Sequence, residues 1–177
     1  GKRHFKRVLV ASANHGEGRT SVVLNLACAL ARARRRVLVV DCDLTNPSLL
    51  KMLGAGSSVG LEEAVSRGMG IGAAIARVKP YGFNLLPLLR PVENPAGLMT
   101  APEFWKTLAS LDADYDFVLF DSPPLLAATD SNMLARFADT TLLVVRPGAT
   151  SSSQMGRAIE PFAQDDLFGV VINRVQE

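Results

Sequence analysis

The chain has 177 residues, 48% of them apolar, enough for one domain with a full core and too few for two. Lys and Arg number 19 against 17 Asp and Glu, a net charge of +2, which is not the strong basic excess of a nucleic-acid binder. Cys28 and Cys42 lie in apolar segments without partners at metal-ligand spacing, against a disulfide scaffold or a zinc site, and no apolar run reaches the ~18 residues of a membrane span.

Lys2-Arg3-His4 leads toward a strand and not into a signal peptide, so the expected setting is reducing and cytoplasmic. Arg7 to Ser12 is an apolar, β-branched run ending in a loop of small residues. From Thr20 to Ala33, apolar residues recur at Val22, Val23, Leu26, Ala27 and Leu30, which is the period of a helix. Val37 to Val40 is wholly apolar, as expected of a parallel strand covered on both faces, and it runs into Asp41. Between Asp43 and Gly82 the pattern is mixed: 47–53 and 61–66 suit short helices, with glycines as punctuation. Phe83 to Leu86 reads as a strand, Pro91 to Pro95 as a loop, and Glu103 to Leu111 as a helix opened near Pro102. Asp116 to Asp121 is a buried strand with a carboxylate at its end, closed by Ser122-Pro123-Pro124. A helix over 131–137, a strand over 141–145, a helix over 152–162 and a last strand over 169–172 follow. This alternation implies an α/β fold, with residues 1–177 forming one domain around a doubly wound, mostly parallel sheet with helices on both faces.

In such a sheet ligands bind beyond the C-terminal ends of the strands, and polar residues collect there: Asn14 to Thr20, Asp41 to Asn46, Asp121-Ser122 and Asn173. Ala13 to Thr20 has the length of the phosphate-binding pattern G-x-x-x-x-G-K-[ST], with Ala13 at the first glycine and Arg19 at the lysine. The stretch His15, Gly16, Glu17, Gly18, Arg19, Thr20 and Ser21 is therefore the candidate nucleotide-binding loop. Gly16 and Gly18 let backbone N–H groups curl around phosphate oxygens at the positive end of a helix, and Thr20 offers a hydroxyl to Mg2+. A glycine loop by itself can be only a tight turn; here strand, loop, helix and distant carboxylates agree.

Asp41 and Asp43 alone would read as caps of the turn at Thr45-Asn46-Pro47. Joined to Asp121, they read as a site in which Asp41 polarises the attacking group while Asp43 and Asp121 help to hold Mg2+. Arg19 keeps the charge of lysine and loses its fit, because lysine acts as a compact point charge whereas guanidinium is planar and prefers bidentate contacts. It either holds a diphosphate or turns outward and leaves the loop one cation short.

Together these residues resemble the bacterial tyrosine kinases (BY-kinases) and the capsular and exopolysaccharide biosynthesis P-loop ATPases, relatives of the MinD/ParA group. Besides the loop, the resemblance rests on Asn25-Leu26-Ala27, on 39–44 with Pro47, on 115–124 and on 169–174, in the family's order over nearly the whole chain. It implies that Arg19 stands at the Walker A lysine, Thr20 at the Mg2+ ligand, Asp41 and Asp43 at the Walker A′ pair and Asp121 at Walker B. Asn173 stands at the adenine-reading position with Arg174 beside it, and the implied cofactors are ATP or ADP with Mg2+.

The implied partner is a membrane-anchored polysaccharide copolymerase-type activator at the inner face of the cell membrane, with a homo-oligomer left open. Several features depart from the family. Thr45-Asn46 stands where the family has an arginine before Pro47, and Tyr81 and Tyr115 do not make the kinases' tyrosine-rich tail. The stretch before Arg7 is short for their ring-forming helix. Asn14 occupies the place of the MinD/ParA signature lysine, and the cluster Arg32, Arg34, Arg35, Arg36 suits a helix C-terminus better than DNA, so no specific nucleic acid is expected. Three readings follow: a catalytically degenerate BY-kinase-like regulator or scaffold of exopolysaccharide or capsule synthesis and export, an active Mg-ATP-dependent tyrosine kinase or ATPase of that system, and a ParA/MinD-type positioning ATPase.

Overall fold

The structure, a computed structural model, describes residues 4–127, 131–160, 162 and 166–175. Its strands are β1 (Arg7–Ser12), β2 (Val37–Asp41), β3 (Ala76–Val78), β4 (Phe83–Leu86), β5 (Phe117–Asp121), β6 (Thr140–Val145) and β7 (Leu167–Ile172). Between them lie α1 (Arg19–Arg32), α2 (Leu49–Leu53), α3 (Leu61–Ser66), α4 (Pro95–Thr100), α5 (Pro102–Ser110), α6 (Ser131–Phe137) and α7 (Ser152–Ile159). The strands form one sheet in the order β3-β4-β2-β5-β1-β6-β7, parallel throughout except for β3 against β4.

Strand alternation sorts the apolar residues onto two faces. Leu9, Leu38, Val118 and Phe120 share one core with Phe104 and Leu108 of α5 and Leu134 of α6. Val10, Val39 and Leu119 share the other with Val23 and Ala27 of α1. Each central strand is apolar on both sides because helices cover both, as its unbroken apolar run implies. Cys42 is fully buried and Cys28 partly so, and both are free thiols, in keeping with their reading as small apolar residues.

Register places the chemistry. Asp41 of β2 pairs directly with Asp121 of β5, and Val10 of β1 pairs with Asp121, so Ser12 lies just beyond on the neighbouring strand. Strand, loop and helix run from β1 to α1 as the sequence predicts.

Besides single 3-10 turns at Ile71–Ala74 and Leu111–Ala113, the structure adds a strand and a helix and moves some boundaries. β3 is a three-residue antiparallel edge, too short to leave an alternation signal. α4 begins where a loop is expected to end; Asn94 caps it by accepting the Gly97 N–H at 3.0 Å, and Gly97 inside a six-residue helix hides its period. β7 starts at Leu167 and α7 ends at Ile159; position 161, inside the helix expected over 152–162, lies outside the described residues. Along β7, Phe168 is 67% exposed and Ile172 64%, whereas Leu167 and Val171 turn inward.

Candidate nucleotide and metal site

The loop between β1 and α1 turns twice through the left-handed region, at Gly16 (φ +76°) and at Gly18 (φ +95°), where glycine escapes the penalty a Cβ would carry. At Gly16 an added Cβ would meet nothing within 4 Å, so this side of the loop is open to an incoming group. At Gly18 it would lie 2.0 Å from Asn173 Nδ2, because the Asn173 amide packs against the loop and donates to the Glu17 carbonyl at 2.9 Å. A residue at the end of β7 thus holds the phosphate loop from above.

A second set of contacts fixes the loop from the side. The Glu17 carboxylate, 2% exposed, accepts the Asn14 backbone N–H at 3.1 Å, the Asn14 amide at 3.3 Å and the Thr150 hydroxyl. Gln154 Nε2 donates to Asn14 Oδ1 at 3.4 Å, and the Gln154 side-chain carbonyl oxygen accepts the Ser151 N–H in a capping box that opens α7. Sequence reasoning places Glu17 among the ligand contacts; the structure turns its carboxylate into the protein as an anchor. Ser12, Thr150 and Gln154 were missed as members of the site. Only the Ser151-x-x-Gln154 box leaves a signal in the sequence, and it marks a helix start, not a loop tether.

Arg19 is the first residue of α1 and is 8% exposed. Of its two expected orientations the structure shows the inward one. Nη1 donates to Ser12 Oγ at 2.8 Å and to the Asn14 carbonyl at 3.4 Å. Nη2 lies 4.0 Å from Asp43 Oδ2, and Nε lies 4.0 Å from Asp121 Oδ1. Arg19 Nε and Asp121 Oδ1 are buried atoms without a hydrogen-bond partner. Burial lowers the guanidinium's pKa, against the opposing pull of Asp121, Asp43 and Glu17.

The three aspartates differ in surroundings. Asp41, 1% exposed, accepts N–H bonds from Asp43 at 3.3 Å and from Ser48 and Leu49 at 3.2 Å each. Burial, and then the charge of Asp121, push it up to about 7 despite those bonds. Asp121 accepts the Thr20 hydroxyl at 2.8 Å; burial raises it to about 6, opposed by that bond and by Arg19. Asp43 is partly exposed and uses Oδ1 to accept from Thr45 Oγ1 at 3.1 Å and the Asn46 N–H at 3.0 Å, leaving Oδ2 toward Arg19.

The structure therefore brings together Gly16, Glu17, Gly18, Arg19, Thr20, Asp41, Asp43, Asp121 and Asn173. His15, Ser21 and Arg174 are exposed around the rim, Arg174 with a left-handed φ of +57°.

Thr20, Asp43 and Asp121 are a set of hard oxygen donors, and the orphaned Asp121 Oδ1 is an acceptor without a protein partner, so the set suits Mg2+. No group of three or more His, Cys, Asp or Glu side chains among the described residues forms a preformed metal cage. That agrees with Mg2+, which is commonly held by one or two carboxylates plus substrate phosphates.

The profile of the CobQ/CobB/MinD/ParA nucleotide binding domain matches residues 8–177. Tyrosine-protein kinase YwqD of Bacillus subtilis (strain 168) is 30% identical over 173 residues, 97% of this chain and 73% of that protein. Tyrosine-protein kinase wzc of Salmonella typhimurium is 31% identical over 163 residues, 89% of this chain and 22% of wzc, so the chain spans about a fifth of that longer protein. Among solved structures, the VpsO kinase domain superposes with a TM-score of 0.89 at 29% identity, covering 97% of this chain and 86% of that one. The septum site-determining protein MinD complexed with Mg-ADP from Pyrococcus horikoshii gives 0.78 at 26% identity, covering 94% and 69%. No helix among the described residues is long and apolar enough to cross a membrane.

Proposed function

The chain belongs to the CobQ/CobB/MinD/ParA nucleotide-binding family, with bacterial tyrosine kinases as its homologues, and from there we propose that it is a BY-kinase-like nucleotide-binding protein impaired in phosphoryl transfer. In this reading it regulates or scaffolds exopolysaccharide or capsule synthesis and export, beside a membrane-anchored polysaccharide copolymerase-type partner. The observation that carries it is Arg19, whose fork is engaged by Ser12 and Asn14 and faces Asp43 and Asp121.

Backbone N–H groups from Gly16 to Thr20 would cradle the phosphates, and Asn173 with Arg174 would border the base. Thr20, Asp43 and Asp121 would hold Mg2+, which supplies charge neutralisation between the phosphates. Catalysis of phosphoryl transfer is mostly positioning and electrostatics, so a bulky fork in place of a compact ammonium costs rate more than binding. The resemblance to BY-kinases supports the partner class; the whole relatives' activities extend over chain lengths that this sequence does not span.

One observation favours the alternative of an active kinase or ATPase: Asp41, pushed up to about 7, is poised where a general base works best. Arg19→Lys separates the two readings. An increase of at least about tenfold in phosphate release from ATP is expected if the arginine limits chemistry, equivalent to ~1.4 kcal/mol of barrier. A loss of turnover in that variant, or wild-type hydrolysis abolished by Asp41→Ala, would establish an active site built around arginine. The ParA/MinD reading is the least supported, since Asn14 is engaged by Glu17 and Gln154 of its own chain.

A further inference from the structure

Arg19 and the divalent cation require the same place. Its guanidinium lies 4.0 Å from Asp43 Oδ2 through Nη2 and 4.0 Å from Asp121 Oδ1 through Nε, so it sits between the two carboxylates assigned to the metal. It completes a bond to neither. Nε and Asp121 Oδ1 are left as facing, buried and unpartnered groups, and the bonds that hold the side chain go to Ser12 Oγ and the Asn14 carbonyl on the loop side. A side chain in this position is a neutralising cation tethered by its loop-side contacts, not a closed ion pair.

We infer that Arg19 is a built-in counter-cation, which takes the divalent-cation position in the nucleotide-free protein and excludes free Mg2+ until bound phosphates draw it away. This rests on the nucleotide-binding reading for its second half and on the position of Arg19 for its first. The buried Asp121 carboxylate, the partly exposed Asp43 carboxylate and a hydroxyl oxygen would otherwise attract a hard cation directly, because such donors suit Mg2+ and their charge would be uncompensated. With the guanidinium between them, a metal ion must first displace a positive charge held at short range. Phosphates entering the loop supply acceptors that guanidinium can engage in bidentate fashion, which neither carboxylate does here at 4.0 Å. The order of assembly is then nucleotide first and metal second, or both together, never metal alone.

The test uses Mn2+ as the probe, followed by electron paramagnetic resonance on the nucleotide-free protein. Arg19→Gln removes the charge and keeps a polar side chain that ends at the level of Nε, short of the Nη1 contacts with Ser12 and Asn14; Arg19→Ala is a second neutral variant. The wild type is expected to show no saturable Mn2+ site below millimolar concentration. Arg19→Gln is expected to gain one site, at least tenfold tighter, that Asp121→Asn added to it removes. Equal Mn2+ affinity in the wild type and in folded Arg19→Gln or Arg19→Ala would overturn the inference, as would tight binding to the wild type. Binding of ADP to the wild type is measured separately, so a failure of the nucleotide reading is distinguishable from a failure of this one.

Discussion

Asp41 and Arg19 show what single residues contribute here and how far each was legible. The aspartates announce themselves by following apolar strands, and the structure brings Asp41, Asp43 and Asp121 to one crevice. The direction in which Arg19 points was not legible, because sequence conveys its length and charge but not that Ser12 Oγ waits beneath the loop. The same crowding has a cost in the protein without ligands. Asp41 is raised to about 7 by burial, so between its unfolded value near 4 and about 7 the folded state holds a proton that the unfolded state has lost. A carboxylate shifted upward makes folding less favourable as pH rises through that window. Unfolding free energy in nucleotide-free, metal-free buffer is therefore expected to fall from pH 5 to pH 7.5, Asp41 contributing at most roughly 1.4 kcal/mol for each pH unit crossed below about 7 and Asp121, raised to about 6, adding to the fall below that value. Urea denaturation at these two pH values checks it: Asp41→Asn should reduce the fall to the part that Asp121 contributes, and an unchanged fall would place its origin elsewhere.

At the scale of elements, the phosphate loop is held by α7 and β7, which lie far from it in sequence. Thr150 and Gln154 reach the loop through Glu17 and Asn14, and Asn173 reaches the Glu17 carbonyl. Thr150→Val keeps shape and removes one hydroxyl donor from a buried carboxylate. The expected loss is about 1–3 kcal/mol of stability by urea unfolding, with weaker ADP binding as the loop loosens. A variant as stable as the wild type would show that the Thr150 bond does not matter to the loop. The long elements were readable because their apolar periods are unbroken, as in α1 and β5. Those missed, β3 and α4, have three and six residues and owe their existence to an edge pairing and to an Asn94 cap.

For the whole molecule, β1 lies between β5 and β6 although its chain neighbour in sequence is β2, so the carboxylates of two other strands reach the loop that follows β1. The sheet's parallel character and its crevice followed from strand–helix alternation; the strand order did not, since periodicity says which face is buried and nothing of which strand is next. Fold and crevice together make a nucleotide site that is proposed to bind without efficient turnover. Isothermal titration of the wild type with ATP in the presence of Mg2+ tests both halves at once. The prediction is a saturable, single-site heat that returns to baseline after every injection. No binding heat, or a sustained heat of hydrolysis that persists between injections, would contradict it.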